Sequence, residues 1–182
     1  IPWKTRLRWT VMLAEALAYI HETRMVARES LADLHPSGVF LRTPEEPVLT
    51  DVGLSPKSRE QQLNLRTRPD TWANYTAPEV LRKDIMVVKD LAEVWSFGQL
   101  CYFIWSSGID PYANVSQRTI EEHTGCLGAL PDMSILHNAA PPKVAETITS
   151  CLAFFPPDRP SMEEVVRSFS TVSLHQSTMQ HP

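Results

Sequence analysis

The chain has 182 residues, 43% hydrophobic and 21% charged, which suits one globular domain with a substantial core and excludes a disordered chain. Its net charge of −4 provides no basic field for nucleic acid, and its longest mainly apolar run, 95–105, is too short to cross a bilayer and contains Ser96, Gly98 and Gln99. Cys101, Cys126 and Cys151 lack C-x-x-C spacing and read as reduced thiols; with no visible signal peptide, the expected location is the cytoplasm or the intracellular part of a membrane-anchored parent.

In chain order, Leu7, Val11, Ala14, Leu17 and Ala18 recur at helical spacing, and Leu13 and Ile20 add a second apolar face, which predicts a largely buried helix over 5–21. The period then changes. Short apolar runs at 39–41 and 48–49 flank RTPEEP, whose prolines cannot sit inside a helix, so a small β-hairpin is expected. Residues 93–107 are apolar nearly all round, as in the central helix of a lobe. Gly108 to Asn114 reads as a turn, and Val144, Ile148, Cys151 and Leu152 predict a helix over 143–154. Ser161 with Glu164 forms a capping box ahead of Val165 and Val166, announcing a last helix, and the residues after Ser173 are a polar tail.

Five strings carry a more specific signal: TDVGLS at 50–55, YTAPEVL at 75–81, EVWSFG at 93–98, the GIDPY turn ending at Tyr112, and CLAFFPPDRPS at 151–161. Their order and spacing resemble the C-lobe of the protein kinase superfamily, with a tyrosine-kinase or tyrosine-kinase-like flavour, and the resemblance runs from YIHE at 19–22 to the helix after Arg159. It implies a mainly α fold, a C-lobe helical bundle with a small β-hairpin near the active-site cleft, occupying 1–173 and followed by the tail 174–182. It also implies ATP and Mg²⁺ as cofactors and proteins as substrates or partners. IPWKTRLRW resembles the start of the helix that precedes a kinase catalytic loop, and no G-x-G-x-x-G occurs, so a longer parent is expected to supply the N-lobe.

The catalytic loop admits two registers. Counted forward from Tyr19, YIHETRMVARES places Ala27, Arg28 and Glu29 on the H-R-D motif; counted back from Val39, DLHPSGVFL resembles D-L-K-P-x-N-V-x-L and places Leu31, Ala32 and Asp33 there. Both hold only if about four extra residues lie between the anchors. The resemblance makes Asp33, with Glu29 as alternative, the carboxylate that orients the substrate hydroxyl, and Arg28 a support of the loop. His35 then replaces the phosphate-facing lysine, Gly38 replaces a metal-binding asparagine, and Asp51 in D-V-G keeps the other metal carboxylate. Glu79 and Arg159 are expected as a structural ion pair, and Glu93 stands where an aspartate normally accepts N–H bonds from the catalytic loop. Ser55, Ser58, Thr67, Thr71 and Tyr75 are hydroxyls open to phosphorylation.

Two functions follow. One is a pseudokinase that regulates or scaffolds through its surface, for which 115–123, with Glu121 and Glu122, and the Val39–Leu49 hairpin are the docking candidates. The other is an active kinase that transfers the γ-phosphate of ATP to Ser, Thr or Tyr of protein substrates when the N-lobe is present.

Overall fold

The computed structural model describes residues 1–23, 34–50 and 72–177. Helix α1 (Trp3–Glu22) follows Pro2 and buries Leu7, Leu13, Ala14 and Leu17, the apolar rows of the sequence pattern. A two-stranded antiparallel hairpin, β1 (Val39–Thr43) and β2 (Glu46–Leu49), pairs Val39 with Leu49 and Phe40 with Val48. Pro47 donates no hydrogen bond, which an edge position in so small a sheet tolerates. The hairpin tip is tied to α1 by Trp9, whose Nε1 donates to the Pro44 carbonyl at 3.1 Å, and by the Arg8–Glu45 ion pair at 2.7 Å.

After a one-turn helix α2 (Pro78–Leu81) comes α3 (Lys89–Trp105), the axis of the lobe. Twelve of its seventeen residues are buried, among them Trp95, Phe97, Leu100 and Trp105, so it is enclosed on every face. Of its aromatics Trp95, Phe97, Tyr102 and Trp105 are core, and Phe103 is only half-buried. Gly98 sits mid-helix at a cost of about 1 kcal/mol in propensity because a Cβ there would lie 2.7 Å from Leu152 Cδ2.

Helix α4 (Gln117–Leu127) starts on Ser116 and ends at Gly128, whose φ of 66° supplies the left-handed cap. Asp132 caps α5 (Met133–Ala139), and Pro142 opens α6 (Pro142–Cys151) at a position where its missing N–H costs nothing. The helix ends at Cys151, three residues before the expected end at 154, with Leu152 as its C-cap. Helix α7 (Met162–Ser177) has the expected capping box: Ser161 N donates to Glu164 Oε2 at 2.8 Å and Glu164 N to Ser161 Oγ at 3.3 Å. The 108–114 turn holds Gly108, Tyr112 and Asn114 at positive φ. Helices α1, α3, α6 and α7 share one apolar core with Leu34, and the hairpin lies against α1. The architecture is the mainly helical lobe with a small hairpin that the sequence leads one to expect.

Candidate functional site

The best-formed polar feature is the anchor of the segment that runs into α2. Glu79, in the first turn of α2, accepts from Arg159 Nη1 at 2.7 Å and Nη2 at 2.8 Å, both side chains being buried. Arg159 uses its whole fork: Nε donates to Ala153 O, Nη1 also to Leu91 O and Nη2 also to Phe154 O. Its guanidinium carbon lies 5.2 Å from the Trp95 ring centroid. With every donor satisfied, the pair fixes α2, the start of α3 and the turn after α6 to one another. The early end of α6 frees the carbonyls of Ala153 and Phe154 for this network.

Glu93 is fully buried in the first part of α3, and His21 at the end of α1 places Nε2 at 2.8 Å from its Oε2. This imidazole, absent from the sequence expectation, bridges α1 and α3 just before the catalytic loop. An acidic residue in an otherwise apolar buried helix demands such a partner, which was the signal available. Asp90 joins them, and among the described residues His21, Asp90 and Glu93 bring their ligand atoms within 4.8 Å of one another. The 2.8 Å contact is hydrogen-bond spacing, so His21 and Glu93 form a hydrogen-bonded brace between α1 and α3.

His35 lies before the short turn Pro36–Gly38, and its Nδ1 accepts from Ser37 N at 3.1 Å and stands 2.8 Å from Ser37 Oγ. Both contacts fall on Nδ1 and hold the ring to the Pro36–Gly38 turn. Its plane packs edge-on against Tyr75 with centroids 4.7 Å apart. Gly38 has ordinary backbone and nothing within 4 Å of where a Cβ would stand, while its carbonyl accepts from Thr50 N at 2.8 Å and Thr50 Oγ1 at 3.1 Å. Position 38 is thus adjacent to the strand end that leads into Asp51, but brings no side-chain ligand. For the Mg²⁺–ATP that the resemblance implies, these two positions do not fit: one offers an imidazole engaged with Ser37 in place of a lysine ammonium, the other no side-chain donor atom. Asp33, Glu29, Arg28 and Asp51 lie outside the described residues, as do Ser55, Ser58, Thr67 and Thr71.

Tyr75 is buried at 2% exposure and donates its phenol to Asp110 Oδ1 at 2.5 Å. Burial, reinforced by the Asp110 hydrogen bond, raises its pKa far above the usual phenol range. In this arrangement it is a packing and hydrogen-bonding residue, and its hydroxyl is closed to modification. Asn74 donates to Pro111 O at 2.6 Å and accepts from Gln117 Nε2 at 3.0 Å, so the segment before α2 is stitched to the turn and to α4.

Among the described residues no helix is long and apolar enough to cross a membrane. A family model described as protein tyrosine and serine/threonine kinase matches residues 1–169. Among curated relatives, a receptor protein kinase-like protein of Arabidopsis thaliana is 25% identical over 96% of this chain and 24% of its own length. The epidermal growth factor receptor of Apis mellifera is 28% identical over 93% of this chain and 12% of its own, and the tyrosine-protein kinase ABL2 of Homo sapiens 25% over 95% and 14%. The chain spans a quarter or less of the length of these relatives. With the family model covering all but the last residues and the helical lobe in place, the chain belongs to the protein tyrosine and serine/threonine kinase family.

Proposed function

We propose that this domain is a pseudokinase, acting in signal transduction as a regulator or scaffold through protein–protein contacts and not by phosphoryl transfer. The observation that carries the proposal is the pair His35 and Gly38. An imidazole engaged with Ser37 stands where the family has a phosphate-facing lysine, and a residue with no side chain stands where it has a metal ligand. Phosphoryl transfer rests almost wholly on positioning and electrostatic stabilisation, so losing both groups removes most of what the chemistry needs. In this reading Asp33, with Glu29 as the alternative, and Asp51 are the remnants of the hydroxyl-orienting and metal carboxylates, Arg28 supports the loop, the domain ends at about residue 173, and the protein works on the cytoplasmic side.

Protein partners come first, the N-lobe of a longer parent among them. Phe40 and Leu41 are 69% and 43% exposed on β1, an apolar edge suited to a covering lobe. The competing reading, an active kinase assembled with its N-lobe, draws on the intact Glu79–Arg159 anchor. A thermal-shift titration with ATP and Mg²⁺ of this lobe joined to a kinase N-lobe separates the two. The wild-type chain should show no magnesium-dependent stabilisation, whereas His35→Lys/Gly38→Asn, which the open space at position 38 accommodates, should gain one. A shift in the wild type that Asp51→Asn removes would overturn the proposal.

A further inference from the structure

We propose that the end of the lobe where α2, α4 and the turn after α6 meet is a self-association face, on which a second copy of this chain docks about a two-fold axis. The proposal goes beyond the functional reading above and needs neither ATP nor an N-lobe. Its most prominent part is the loop between α2 and α3. Helix α2 closes with Lys83 at φ 60°, where Lys83 N donates to Val80 O at 3.1 Å and Asp84 N to Glu79 O at 3.0 Å, a paired helix terminator that turns the chain outward. The next two residues, Ile85 and Met86, are 103% and 89% exposed, more than any other large apolar side chain among the described residues, and Val88 follows them.

Arg82 ties three elements into this face. Its Nη2 donates to Asp84 Oδ2 at 2.7 Å, beside Ile85, and its Nη1 to Gly125 O at 2.6 Å, near the end of α4. Its guanidinium carbon lies 5.1 Å from the Phe154 ring centroid. Leu127, two residues past Gly125, and Phe155, packed edge-on against Phe154, are both exposed by more than half. Ile85, Met86, Val88, Leu127 and Phe155 therefore belong to segments pinned by one guanidinium. At roughly 150 Å² apiece and 57% exposure or more, they leave on the order of 500 Å² bare, high in the range for the largest patch of a monomer. That matches the apolar share of the about 800 Å² that each partner gives to a standard interface, a little over half of it non-polar.

Charge selects the occupant. Arg82 and Asp84 neutralise each other at 2.7 Å. Lys83, and Asp158 whose N–H donates to Phe155 O at 3.0 Å, are exposed and among the described residues have no ion-pair partner. One cation and one anion leave the apolar face without net charge, which draws it neither to an anionic membrane nor to a strongly charged peptide. A second copy supplies the missing partners: in an isologous contact each chain meets its own surface, so Lys83 of either copy faces Asp158 of the other with the apolar side chains between them.

The test is sedimentation velocity of the 182-residue chain over a concentration series, which should show a reversible monomer–dimer equilibrium. Ile85→Ser/Met86→Ser should weaken it at least about a hundredfold, because each change counts twice across the axis. Phe40→Ser/Leu41→Ser, an equal loss of apolar surface on the hairpin, should leave it unaltered. Lys83→Glu and Asp158→Lys should each weaken it roughly tenfold, and the two exchanges together should restore it. A monomer at every concentration, equal losses in the loop and hairpin variants, or a double exchange no tighter than its single variants would each overturn the proposal, as would a monomer that binds phosphatidylserine vesicles through Ile85 and Met86. All the replaced residues are exposed, so the variants fold. Phosphotransfer activity would sink the pseudokinase reading without touching this face.

Discussion

Two regions of this lobe, one set against α3 and the other against α1, have been treated very differently by the sequence. On the α2 side, Arg159 spends every donor, Glu79 is gripped by both oxygens, and Trp95 covers the pair. On the hairpin side, the positions that would face phosphate and metal hold an imidazole folded back on Ser37 and a glycine. The contrast teaches that the architecture which fixes a kinase lobe and the groups which do its chemistry are separable. The first is maintained by burial and hydrogen-bond satisfaction, which folding itself enforces; the second contributes nothing to folding and can be lost without disturbing it.

The largest effect expected on the anchored side is from breaking the ion pair. Arg159→Met leaves Glu79 buried and unpaired and should cost about 3–5 kcal/mol, whereas Glu79→Leu/Arg159→Met, which removes both charges, should cost markedly less. Urea unfolding of the wild type, Arg159→Met, Glu79→Leu and the double variant checks this, and an additive double variant would show that the partners are not coupled. Next comes Gly98→Ala. A methyl placed against Leu152 and Cys151 must displace the buried Leu152 side chain or push α3 from α6, so a loss of about 1–3 kcal/mol is expected in spite of the better helix propensity of alanine; an unchanged or raised midpoint would refute the close approach.

A smaller and graded effect is expected with alkali. Burial raises Tyr75, pushes Tyr112 up to about 12, pushes Cys151 up to about 12 and raises Cys101 well above the usual thiol range. Each group is neutral when protonated and holds its proton more tightly when folded. Stability is therefore fully present below the unfolded pKa values, near 9 for the thiols and 10 for the phenols, and falls as pH rises toward 12, by about 1.4 kcal/mol per pH unit for each group in its window. Unfolding curves at pH 8, 10 and 11 test the sign, and Tyr112→Phe should flatten the decline. A stability that rose with alkali would contradict the assignment.

Much of this was legible in the chain. Helices α1 and α3 have long runs of large apolar residues whose period is unmistakable, and Ser161 with Glu164 marks the start of α7 by a local rule that tertiary structure did not override. Helix α4 was not legible as a helix, because Ile120 is its one large buried apolar residue and gives no period. At seven residues α5 is too short for a period to be read. The Glu79–Arg159 pair was readable from two strings, but the braces that hold the rest of the site were not. His21 meets Glu93 across 72 residues, and Tyr75 meets both His35 and Asp110, contacts that exist only once three separate turns have been brought together.

The most direct measurement is transfer of phosphate from labelled ATP, with Mg²⁺, to a mixed Ser/Thr/Tyr peptide library by this lobe joined to the N-lobe of its parent. The account predicts incorporation no greater than that of the same protein carrying Asp33→Ala. Incorporation well above that background, abolished by Asp33→Ala, would show that the catalytic side is still working and would contradict it.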